Sequence, residues 1–141
     1  ALYVCGLNGW QTAAKADGSL QRVRPTGRPF DVPVAMAVEG DAVKLTFTRP
    51  LAAAPAADPV RYRGTCWNYQ WSGGYGSKRY RVGDGAEGTE TVPVRAAELG
   101  ADGKTVTVRF DGLRPAMQMH VGYNLTAADG RPVVGSVYLT I

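Results

Sequence analysis

From residue 30 onward, apolar and polar positions alternate with a period of two. In FDVPVAMAVEG, Phe30, Val32, Val34, Met36 and Val38 alternate with Asp31, Pro33, Ala35, Ala37 and Glu39. Successive strand side chains point to opposite faces, so this pattern predicts a strand with one apolar face. Gly40-Asp41 is a turn signal, and Val43, Leu45 and Phe47 then alternate with Lys44, Thr46 and Thr48. The pair predicts a β-hairpin, residues 33–39 against 42–48. The Ala-rich run that follows is interrupted by Pro55 and Pro59, which limits it to one helical turn over 52–57. Further strands are expected from Val60, Tyr62 and Gly64 onward, over VPVRAAEL, and over KTVTVRF with Val106, Val108 and Phe110 inward. MQMHVGYNL places Met117, Met119, Val121, Tyr123 and Leu125 on one side, and VVGSVYLTI closes the chain as given. Seven strands between 33 and 141, with turn signals between them, predict an all-β, antiparallel sandwich of immunoglobulin-like type.

Residues 1–28 do not fit that repeat. LYVC and SLQRVR read as two short strands, with a single helical turn around 12–16 and the turn dipeptide Asp17-Gly18 between them. The expected organisation is a β extension over 1–28 and a sandwich over 29–141.

Composition narrows the class. Of 141 residues, 18 are Gly and 9 are Pro, scattered between short runs, which excludes a helical bundle, a coiled coil and a collagen-like rod. No apolar run approaches the ~18 residues of a membrane-spanning helix. The first residues carry no basic region and no cleavage motif, so the expectation is that a leader is absent or already removed. The net charge of +4 comes from dispersed cations, the nearest to a cluster being Lys78, Arg79 and Arg81. A nucleic-acid surface usually carries a denser patch, so neither nucleic acid nor membrane is expected as a partner.

The aromatic segment is the strongest candidate for a binding role. Trp67, Tyr69 and Trp71 fall at i, i+2 and i+4, opposite Cys66, Asn68 and Gln70, with Tyr75 following in a glycine-rich loop. On one strand face the three form a platform ~13 Å long. Such rings stack on sugar faces, and Asn68, Gln70, Lys78 and Arg79 supply groups for hydroxyls. The same residues on a strand face also suit a sandwich core, so both assignments stay open here. A second candidate is copper held by His120 with Met117 or Met119, since thioether and imidazole suit that metal. Strand parity opposes it, turning the methionines one way and His120 the other. A third is calcium in the loop GDGAEGTE through Asp84, Glu87 and Glu90, without EF-hand spacing. With one His and no Gly-x-Ser-x-Gly, a Ser-His-Asp triad is not expected. Most Asp residues precede Gly (Asp17, Asp84, Asp102, Asp111 and Asp129) and read as turn formers. Cys5 and Cys66 leave two alternatives: one disulfide in an exported domain, or two free buried thiols.

Two resemblances extend this. KLTFTRPLAAAPAADPVRYR, through Phe47, Thr48, Pro50, Leu51 and Tyr62, resembles the start of a bacterial Ig-like module of the SbsA type. AAELGADGKTVTVRFDGLRP and DGRPV, with Asp102-Gly103, Leu113 and Asp129-Gly130, fit the same family. The likeness covers about 30–141. It implies a fold, in modules that serve as spacers, adhesive domains or binding domains. The front segment, LYVCGLNGWQT and DGSLQRVRPTG, resembles the closing strands of β-propellers of the sorbosone/glucose dehydrogenase type. That combination is similar to the end of large secreted multidomain bacterial proteins that carry cytochrome c segments. No C-x-x-C-H occurs here and there is no propeller body, so neither haem nor a quinone site carries over. Together these imply a secreted or periplasmic, non-catalytic accessory module. Its expected partner is a polysaccharide or a neighbouring domain.

Overall fold

The alternating runs identified above form strands over most of their length in the computed structural model, which describes residues 1–7, 9, 13 and 18–141. β1 (Leu2–Leu7) and β2 (Gly18–Val23) pair antiparallel as a separate two-stranded sheet. The helical turn expected around 12–16 and the turn at Asp17 lie outside the described residues, Ala13 excepted.

The sandwich follows. β3 (Pro33–Glu39) and β4 (Ala42–Phe47) form the expected hairpin, and Gly40 at φ 59° supplies the left-handed conformation of its turn. One turn of helix, α1 (Ala53–Ala56), and a short 3-10 turn, Pro59–Arg61, lead into β5 (Tyr62–Tyr69). After β5 come β6 (Arg79–Tyr80), β7 (Glu90–Val92), β8 (Val94–Leu99), β9 (Thr105–Phe110), β10 (Gln118–Thr126) and β11 (Pro132–Leu139). One sheet has the order β3-β4-β9-β8, and the other β11-β10-β5-β6 with β7 also paired to β5. This is the strand order of an immunoglobulin-type sandwich, four strands facing three (β11-β10-β5), with β6 and β7 added on the outer edge of β5.

Nine strands stand where seven were expected, and the difference has a local cause. VPVRAAEL is not one strand. Pro93 has no N–H to donate, and the chain changes sheets there, from β7 beside β5 to β8 beside β9. β6 and β7 are only two and three residues long, too short to print a periodic pattern.

The core lies between the sheets. Val43, Leu45 and Phe47 of β4 and Val106, Val108 and Phe110 of β9 meet Cys66 of β5 and Met119, Val121, Tyr123 and Leu125 of β10. Phe47 and Tyr123 make an edge-on ring contact at 5.3 Å. Gly64 is required by close approach: a Cβ there would lie 2.5 Å from a ring carbon of Phe110 and 2.9 Å from the Val92 carbonyl oxygen. The Tyr62 hydroxyl donates to the Ala56 carbonyl at 2.7 Å, fastening α1 to β5. Burial pushes the Tyr62 hydroxyl pKa well above its ordinary value, with Asp58 adding to the shift.

The apolar face of β3 behaves differently. Met36 pairs with Leu45 and Val38 with Val43, so these side chains share the core-facing side. Yet Val34, Met36 and Val38 are exposed, at the edge strand of the sheet.

The bridge expected between Cys5 and Cys66 is not formed. Both thiols are free: Cys66 points into the core, whereas Cys5 is exposed on β1.

Candidate functional site

The outer face of the β11-β10-β5-β6 sheet carries an aromatic cluster. On β5, Tyr62, Gly64 and Cys66 face the core, so Arg63, Thr65, Trp67 and Tyr69 face outward. The same parity on β10 turns Met119, Val121 and Tyr123 inward and Gln118, His120 and Gly122 outward. The register sets His120 opposite Thr65 on one side and Tyr138 on the other, with Gln118 opposite Trp67.

Trp67 is the hub. It is only 2% exposed although it lies on the outer face, and it stands apart from the core cluster. Its cover comes from its neighbours. Tyr69 and Tyr138 meet it edge-on at 6.5 and 6.4 Å, and the Arg79 guanidinium sits 4.3 Å from its ring centroid. His120 is tilted on Tyr138 at 4.8 Å. The Trp67 Nε1–H is buried and has no protein acceptor among the described residues.

The four predicted platform residues therefore separate. Trp67 forms the buried base of the cluster. Tyr69 ends β5 at 39% exposure, while Trp71 is 99% exposed and Tyr75 is fully exposed in the loop between β5 and β6. β5 stops at Tyr69, so Trp71 does not extend a flat strand platform as the alternation suggested. Tyr138, more than half exposed, was missed. Its signal was present: inward Val133 and Leu139 put Tyr138 on the outer face by parity alone.

The methionines and His120 are placed as follows. Met119 is fully buried in the core and His120 lies on the opposite side of the sheet. Met117 precedes β10 and is exposed, although the alternation had grouped it with the inward set. Its Sδ accepts the Tyr69 N–H at 3.2 Å, and its own N–H donates to Asn68 Oδ1 at 2.9 Å. These bonds tie the end of β5 to the start of β10.

The carboxylates considered for calcium each engage a cation. Arg81 donates to Asp84, Lys78 Nζ to Glu87 at 2.7 Å, and Arg114 to Glu90 at 2.6 Å. The Arg81 hydrogen bond holds the Asp84 pKa below its ordinary value. The Gly83 N–H, with Arg114 second, does the same for Glu90. Among the described residues, no three His, Cys, Asp or Glu side chains are grouped as a metal site.

A depression of about 490 Å3 lies at the Arg63 end of β5, with Asp58, Arg61, Arg63, Gly122 and Asn124 in its lining. Asp58 is matched there by Arg61 at 3.6 Å. No family model matches the chain, and no curated protein matches it either.

Proposed function

We propose that this chain is a non-catalytic accessory module of an exported bacterial protein that binds polysaccharide. Its contact groups are Tyr69, Trp71 and Tyr75, with Tyr138 added to them. The observation that carries this reading is the near-complete exposure of Trp71 and Tyr75 in the loop that leaves β5 after Tyr69. Large rings are usually buried for the area they remove from water, and neighbouring rings left in solvent mark a surface on which a partner can stack. Trp67 does not touch the glycan in this reading. It fixes the positions of Tyr69 and Tyr138. The test is retention on insoluble polysaccharides. Retention on at least one is expected, and Trp71→Ala should abolish it. Retention unchanged by Trp71→Ala, or none at all, removes the proposal.

A second reading has its own observation. The uncovered apolar residues Val34, Met36 and Val38 on β3 favour a structural domain that packs on a neighbouring domain. This is the reading that stands if no glycan is retained.

A further inference from the structure

We infer that the polysaccharide is acidic, carrying uronate carboxylates, and that its charge is read by Arg63 at the far end of the same face. This rests on the carbohydrate reading above and adds the substrate class.

The outward residues of β5 form a row from Arg63 through Trp67 to Tyr69, about 20 Å long at ~3.3 Å per residue. The exposed aromatics lie at one end of the row and a free cation at the other. Arg63 is exposed and makes no ion pair among the described residues. Most other arginines of the sandwich are matched, among them Arg81 by Asp84, Arg95 and Arg109 by Asp41, and Arg114 by Glu90. Arg79 likewise has no carboxylate and lies over Trp67. The outward positions of β5, β10 and β11 carry Arg63 and His120 and no carboxylate. The one acid in the adjoining depression, Asp58, is neutralised by Arg61.

Shape agrees with charge. Gly122 lies directly opposite Arg63 and next but one to His120. A Cβ at Gly122 would make only ordinary contacts, with His120 Cε1 at 3.6 Å and Arg63 Cβ at 4.0 Å, and Gly122 lines the depression beside Arg63. A carboxylate seated over Gly122 has the Arg63 fork on one side, and a planar guanidinium suits a carboxylate bidentately. The His120–Tyr138 pair beside it offers a ring face for the sugar that bears the carboxylate.

The experiment measures retention of the intact chain on acidic polysaccharides (polygalacturonate, alginate, hyaluronate) and neutral ones (cellulose, starch, xylan, chitin), with oligo(dT) in parallel. The variants are Arg63→Gln and, as a control for net charge, Arg28→Gln. The expected result is retention on an acidic polymer, weakened roughly tenfold by Arg63→Gln and unchanged by Arg28→Gln. Retention on neutral polymers alone overturns the acidic assignment and leaves the carbohydrate reading intact. Equal losses from the two variants overturn it as well, since net charge then explains the binding. Retention on no polysaccharide overturns both. Oligo(dT) bound more tightly than any glycan, and lost with Arg63→Gln, replaces the acidic glycan with single-stranded nucleic acid. Unchanged melting temperature of Arg63→Gln separates loss of contact from loss of fold.

Discussion

The Arg79 guanidinium covers the Trp67 ring at 4.3 Å, joining a two-residue strand to the middle of the sheet. Trp67 points away from the core, so its burial depends on this arginine and two tyrosines and not on the opposite sheet. A cation held over an indole contributes about 1 kcal/mol when partly desolvated. Arg79→Ala should therefore lower stability to urea by roughly that amount. It should also shift Trp67 emission to the red in a background that carries both Trp10→Phe and Trp71→Phe, since the chain has three tryptophans. Arg79→Lys should recover part of the loss, because an ammonium keeps the charge but not the planar stacking. Urea midpoints equal for all three proteins would contradict this role.

Trp67 and Trp71 are four residues apart and should respond oppositely to truncation. Trp67→Ala removes a ring in contact on several sides and should cost roughly 3 kcal/mol of stability. Trp71 is almost wholly in solvent, so Trp71→Ala should change stability by less than about 0.5 kcal/mol. Only the second substitution tests glycan contact cleanly. Thermal unfolding and retention assays on the same two proteins check the contrast. A large stability loss in Trp71→Ala would show that the loop ring packs on the sandwich.

The two thiols should differ in reactivity. Cys5 is exposed on β1, whereas Cys66 is buried on the core face of β5. Burial, reinforced by Glu90, raises the Cys66 pKa, and Arg114 offsets this only in part. The thiolate is the reactive form, so both access and ionisation protect Cys66. With an aromatic disulfide reagent at pH 8, one equivalent should react quickly and the second only on unfolding. Two fast equivalents would indicate that β5 opens readily.

How far these features are legible in sequence depends on their range. β4, β9 and β10 bury one face along most of their length, so period-two alternation reveals them directly. β6 and β7 are shorter than the pattern needs, and Pro93 hides the crossing between sheets because both flanks are apolar. For Trp67, parity says that it opposes Cys66, but parity alone does not tell which side faces the core. That was decided by the partner strands, where Met119 and Val121 lie inward on β10. The aromatic cluster joins Trp67 to His120 and Tyr138 from strands distant in sequence, which no local pattern can align. The unpaired cysteines have the same origin: an even count suggested a bridge, but β1 and the core face of β5 do not bring the thiols together.

The turn between β8 and β9 should govern part of the acid limb of stability. Asp102 accepts from the Thr105 hydroxyl at 2.7 Å and from the backbone N–H groups of Lys104 and Thr105, both at 2.9 Å. The Thr105 hydroxyl and then those amides lower its pKa from 3.8 to about 2. All three donors favour the charged carboxylate, so the folded state binds this proton more weakly than the unfolded chain does. The contribution is therefore fully present above pH ~4 and is lost as pH falls through ~2. Asp102→Asn should lower stability at pH 7 and flatten its decline between pH 4 and pH 2. Urea midpoints measured across that range for both proteins check the slope. A decline equally steep in Asp102→Asn would assign acid sensitivity to other carboxylates, such as Glu90 or Asp84, whose pKa values are also lowered.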